Sequence, residues 1–245
     1  MPDSLQKSLV RAWEQYYEEL YEPEADGTVL LEEVLEEILN SFESSNQALN
    51  HIRYVWMALI LACVVEPTVK YYQPNNPVPE ATVNRLTDWL LVNIMEVFYD
   101  RRYLSRSSTS EVNNASVNVR NLYSEKKIAN FQVLSEALDI YTSAIKTLEE
   151  NYAVKALLDI LDDCLEGYAI FPGSYGRREL FNWWLLDVVP STWYLFPPSS
   201  IYSLDELNNE QNMLGLNRLE EINGRMWNII LTATQGKREN SWSTQ

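Results

Sequence analysis

One histidine, His51, in 245 residues leaves the chain almost without the side chain that most often serves as general base in nucleophilic triads and as ligand to transition metals. With no second histidine at helical spacing, HExxH zinc hydrolysis and ferritin-like di-iron chemistry are excluded. Glycine is scarce, at 7, and proline numbers only 10. That is too few turn formers for an all-β sandwich and too few glycine loops for a doubly wound nucleotide fold. The two cysteines, Cys63 and Cys164, are too far apart for a metal-ligand spacing, and each lies in an apolar helical context where a thiol packs as a small hydrophobe. Basic residues are outnumbered 19 to 35, for a net charge of −16. Nucleic acid and anionic lipid are therefore poor partners, because both need clustered positive charge. The amino terminus shows no basic segment leading to a cleavage site, and the longest uncharged run, Tyr54 to Val65, is shorter than the roughly 20 residues of a membrane-spanning helix. The expectation is a cytoplasmic protein that is not integral to a membrane.

Hydrophobic residues make up 46% of the chain, enough for a full core without disulfide staples. Apolar positions recur at three- and four-residue spacing nearly throughout, the signature of amphipathic helices. The fold class expected is all-α, a single-domain multi-helix bundle or a short helical-repeat-like stack of about eight to ten helices. The domain is expected over residues 1–235, with a mobile polar loop near 104–116 and a frayed tail at 236–245. Pro67 is expected to stop the third helix at Val65, and Pro190 to end another at Val189. Ser203-Leu204-Asp205-Glu206 has capping-box spacing for a penultimate helix, with a final one from about Leu216 to Thr234. A faint duplication pairs Asn50, Leu59, Ile60 and Cys63 with Asn151, Ile160, Leu161 and Cys164 at a spacing of 101, and Leu86, Asp88, Trp89, Leu91, Asn93 and Ile94 with Leu180, Asn182, Trp183, Leu185, Asp187 and Val188 at 94.

Charge and aromatic residues are unevenly placed. Residues 1–66 hold 13 acids against 3 bases, and residues 128–172 hold 8 against 2, whereas Arg101, Arg102, Arg106, Arg120, Lys126 and Lys127 form a basic island between them. Trp183, Trp184, Trp193, Tyr194 and Phe196 crowd one short segment near Pro190 and Pro197. Tryptophan and tyrosine are over-represented among residues that carry binding energy at interfaces. These aromatics, with Glu32, Glu33, Glu36 and Glu37 as an acidic rim, form the expected protein-binding surface, and the expected partner is another protein with a basic face. On this reading the chain is a non-enzymatic adaptor, assembly or inhibitory factor that needs no cofactor and no metal.

Two acidic helices carry the competing enzymatic reading. Asp159, Asp162, Asp163 and Glu166 project from one helix face, and Asp162-Asp163-x-x-Glu166 resembles the aspartate-rich motif of all-α prenyl-diphosphate and terpene synthases. That resemblance implies magnesium gripping a phosphate or diphosphate. Glu32-Glu33-Val34-Leu35-Glu36 is similar to half of the signature of MazG-like pyrophosphohydrolases, but the second half is missing. Gly173 to Arg178 has the makings of an anion cradle at a helix start. A third reading is a bundle enclosing an apolar ligand. In the plainer account Ile160, Leu161, Cys164 and Leu165 are the buried stripe and the neighbouring acids a solvated face. His51 is expected to be structural.

Overall fold

The computed structural model describes residues 1–21, 30–42, 46–99, 128–165, 167, 169–170, 174–202 and 209–242, with backbone alone for 128–131, 174–175, 209–213 and 236–242. The polar stretch 104–116, the basic island and the Ser203 capping box lie outside the described residues. No strand occurs among the described residues, and the fold is an all-α multi-helix bundle. Its helices are α1 (Asp3–Glu14), α2 (Leu31–Asn40), α3 (Gln47–Tyr72), α4 (Val78–Phe98), α5 (Ile128–Lys146), α6 (Ala153–Leu165), α7 (Ser174–Trp183), α8 (Val189–Tyr194) and α9 (Asn209–Trp242).

Helix α3 is the axis of the bundle. It is apolar on every side, and such a helix must be covered all round. Residues from Val55 to Val65 are fully or almost fully buried, and α4, α5, α6, α8 and α9 all pack on it. By length and composition α3 also meets the requirement for a membrane span, yet 83% of its most apolar window is buried inside the bundle. Each large side chain buried along it contributes about 1.5–3 kcal/mol. Around it, α4 runs back after a short proline-containing turn, and α5 and α6 form a second hairpin joined by the brief connection 147–152. The α3–α4 hairpin is packed along its length, whereas α6 meets α7 at few positions, so the paired segments of the faint duplication are not packed alike.

Three helix boundaries differ from the sequence expectation, each for a local reason. Pro67 does not stop α3, which continues to Tyr72. Proline removes the donor for the Cys63 carbonyl. Helix α9 lays Gly215 close to that carbonyl, while the Tyr141 hydroxyl of α5 donates to the neighbouring Ala62 carbonyl at 2.9 Å. Glu66 beside the break is buried and pairs with Lys70 at 2.7 Å and with Arg218 of α9 at 3.5 Å. Pro190 does not end its helix either: Trp184–Val188 forms a π-helical turn between α7 and α8. A widened turn relieves the clash between a proline ring and the carbonyl four residues earlier, so the chain stays helical to Tyr194. Finally, Gly215 sits inside one long α9 in place of the expected break between two helices. A Cβ at Gly215 would stand 2.8 Å from Ile201 Cδ1, so this glycine permits close packing and does not mark a loop.

Candidate functional site

The aromatic segment is built into the scaffold. Trp184 is fully buried, with 0% exposure. Trp193 is half-buried between Phe42, with ring centroids 5.8 Å apart, and the Arg53 guanidinium, 3.6 Å over its ring. Leu195 ends α8 in the left-handed region, at φ 57°; the Ser191 and Thr192 carbonyls accept from the Phe196 and Leu195 amides, and side chains of other helices take up the carbonyls of Trp193, Leu195 and Phe196. Arg53 Nε donates to Trp193 O at 2.9 Å, Trp56 Nε1 to Phe196 O at 2.9 Å, and Trp227 Nε1 to Leu195 O at 3.2 Å, with Asn223 Nδ2 donating to Leu195 O as well. Burial lowers the Arg53 pKa to about 10, and its charge faces the negative end of α8. Trp183 is half-buried; its indole donates to Ser200 O at 2.8 Å and its ring lies against Tyr202. Only Tyr194 and Phe196 stay about half exposed, at 53% and 48%. Of these two, Tyr194 accepts a hydrogen bond from the Met1 ammonium, and Phe196 is stacked on Trp227.

The acids of α2 divide between two sides. Glu37 accepts from Ser8 Oγ at 3.0 Å and pairs with Arg11, which ties α2 to α1. Glu33 and Glu36 are exposed. Glu32 is directed at α6, where its charge acts on Asp162. Helices α2 and α6 pack together, so the two acidic runs of the sequence meet at their edges.

Helix α5 brings more acid to the same place. A cleft of about 290 Å³ between α5 and α6 is lined by Asp139, Thr142, Ser143, Lys146, Asp159, Asp162 and Asp163. The sequence reading missed the α5 contribution. Its signal is a polar stripe, Gln132, Glu136, Asp139, Ser143 and Lys146, at helical spacing on a helix whose other sides are apolar. At the end of the cleft the chain turns through Gly167, where a Cβ would stand 2.8 Å from Glu136 Oε2 and 2.7 Å from the Asp163 carbonyl. Among the described residues, the carboxylates of Asp139, Asp159, Asp162 and Asp163 have no ion pair within 4.0 Å. The electrostatics reflect this. Burial, then Asp139, Asp162, Glu136 and Asp159, push the Asp163 carboxyl up to about 7. Asp162 is raised by burial, Glu32, Asp159 and Glu136, and Asp139 by burial and Glu136 against the lowering effect of Lys146.

The remaining candidates resolve into structural roles or fall outside the described residues. His51 is buried; its Nε2 donates to the Thr147 carbonyl at 2.7 Å, at the end of α5, and its ring meets Trp89 edge-on. Arg178 is spent on the last turn of α1, donating to Trp13 O at 2.6 Å and Gln15 O at 2.9 Å. Glu166 and Gly173 lie outside the described residues. Both cysteines are free and buried, and burial pushes the Cys63 thiol up to about 12, which makes it unreactive. Among the described residues no group of three Asp, Glu, His or Cys side chains is placed to hold one metal ion. Comparison with protein-family models, with curated proteins and with solved structures yields no match to this chain.

Proposed function

We propose that the chain is a non-enzymatic adaptor, assembly or inhibitory protein that binds a basic surface of another protein through the acidic face shared by α2, α5 and α6. The observation that carries this reading is the α5–α6 cleft, where four aspartates surround one lysine without an ion pair among the described residues. Like charges gathered on facing helices oppose folding. Groups whose ionisation is disturbed in this way concentrate at functional sites. A cationic partner supplies the missing counter-charge on binding and is steered towards the face at long range. The magnesium-dependent alternative through Asp159, Asp162, Asp163 and Glu166 is less favoured, because among the described residues no three acids are placed to hold one ion.

The experiment is affinity capture from native lysate with the wild-type chain and with the variant Asp139→Asn, Asp159→Asn, Asp162→Asn, followed by identification of bound proteins. A partner retained by the wild type, released by salt and absent from the variant is the expected result. Equal capture by both chains rejects the acidic face as the binding surface.

A further inference from the structure

Helix α1 has three sides, and two of them are occupied. Leu5, Leu9 and Ala12 are buried in the bundle, while Ser8 and Arg11 reach Glu37 of α2. The third side is turned outward. On it Val10 is 55% exposed and Trp13 49%, and the exposed Lys7, Val10 and Glu14 form one line at i, i+3 and i+7. Lys7 and Glu14 have no ion pair among the described residues. The run from α7 through the π turn to α8 passes α1 in the opposite direction. Arg178 holds the last turn of α1, the Met1 ammonium donates to Tyr194 Oη at 2.8 Å, and the π turn packs on α1 between these ends. Leu186, in the middle of that turn, is 53% exposed.

Charge sets this face apart from the rest of the molecule. Asp3, Lys7, Arg11 and Glu14 of α1 cancel, and so do Arg177, Arg178, Glu179 and Asp187 of the α7–α8 run. Neither stretch contributes to the net charge of −16. Two copies of so acidic a chain repel one another in most approaches, and they meet most readily where that charge is absent. A two-fold contact further requires a patch complementary to itself. The α1 line meets the requirement, because Lys7 and Glu14 stand about 10 Å apart along the helix, with Val10 midway between them. With two α1 helices laid antiparallel across a two-fold axis, one protomer's Lys7 meets its partner's Glu14, and the same pair recurs in reverse. Val10 then meets its own copy at the centre, and a Trp13 ring flanks the contact at each end.

We infer that a second copy of the chain docks on this face, giving a two-fold dimer through antiparallel α1 helices, centred on Val10 and closed by Lys7–Glu14 pairs. The acids of α2, α5 and α6 lie outside this contact, so the dimer stands or falls independently of the acidic-face reading. Sedimentation velocity of the full chain at rising concentration tests it. A dimer is expected to form by about 100 µM. Glu14→Lys alone sets lysine against lysine and Lys7→Glu alone sets glutamate against glutamate, so each should weaken the dimer about tenfold or more. The two exchanges combined should restore it. Val10→Asp should weaken it at least as much as either single exchange. All three side chains are exposed, so circular dichroism of the variants should match the wild type.

A monomer at every concentration overturns the inference. So does a dimer indifferent to Val10→Asp, or one that the double exchange fails to restore. A monomeric chain that binds phosphatidylcholine vesicles, and loses them with Trp13→Ala, would make the face a membrane contact. A monomeric chain that captures a different protein from lysate, and loses it with Trp13→Ala, would make the face a heterologous interface. Either outcome overturns the dimer.

Discussion

The end of α8 and the α5–α6 cleft are opposites in how they treat charge. Around Trp193, Leu195 and Phe196 each backbone carbonyl meets a side chain from α3 or α9, and the buried Arg53 charge has both a ring and a helix end to face. In the cleft, aspartates stand against aspartates, and Lys146 is the one cation in its lining. The first region is rich in the residues that mark interfaces, and here they hold the bundle together. The second has the look of an ordinary solvated helix face until the two stripes are seen to abut. Residue type therefore identifies a site less well than the way its charges are matched.

Three substitutions test that contrast by stability. Trp193→Ala has the largest expected effect, a loss of about 3 kcal/mol, because it removes packing against Phe42 and strips the ring from Arg53. Urea denaturation measures it, and an unchanged midpoint would show that the segment is not the lock described here. Asp163→Asn should do the reverse and stabilise. The folded carboxyl is held near 7 and its ordinary value is 3.8, so between those values the folded chain keeps a proton that the unfolded chain loses. Stability from this group is present below 3.8 and is lost as pH rises to 7. The gain from Asp163→Asn is expected to be about 1–2 kcal/mol at high pH, discounted for water in an open cleft, and to shrink towards acid pH. Melts across the pH range give the sign directly, and a loss of stability at high pH would mean the acids are not in conflict. The smallest effect belongs to Lys146→Gln, a loss of about 0.5 kcal/mol that added salt reduces. An effect insensitive to salt would show that Lys146 acts by packing and not by charge.

Much of the fold was legible because it follows from local pattern. The spacing of Leu31, Leu35, Ile38 and Leu39 marks α2, and that of Leu157, Ile160, Leu161, Cys164 and Leu165 marks α6; all nine are buried as the period requires. The errors at Pro67, Pro190 and Gly215 share one cause. A helix breaker is read from its own residue type, but whether it breaks depends on its surroundings, here the packing of Tyr141 and α9 around the Pro67 turn, a π turn before Pro190 and the close approach of Ile201 to Gly215. The site was legible in halves. Glu32 and the Asp159–Asp163 run stand out as acids in the sequence, while nothing in it singles out Asp139, Ser143 and Lys146.

By itself the sequence determined the all-helical class, the acidic balance and the most apolar helix, because propensity, charge and hydrophobic period are properties of neighbouring residues. Tertiary structure alone decided that Trp184 is core and Trp193 a clasp, and that the polar stripes of α5 and α6 face each other across a cleft. The physical reason is that burial and electrostatic conflict are properties of pairs brought together from distant positions. The Asp163 carboxyl is raised first by burial between helices and then by Asp139 of α5, neither of which a local reading of its own segment contains.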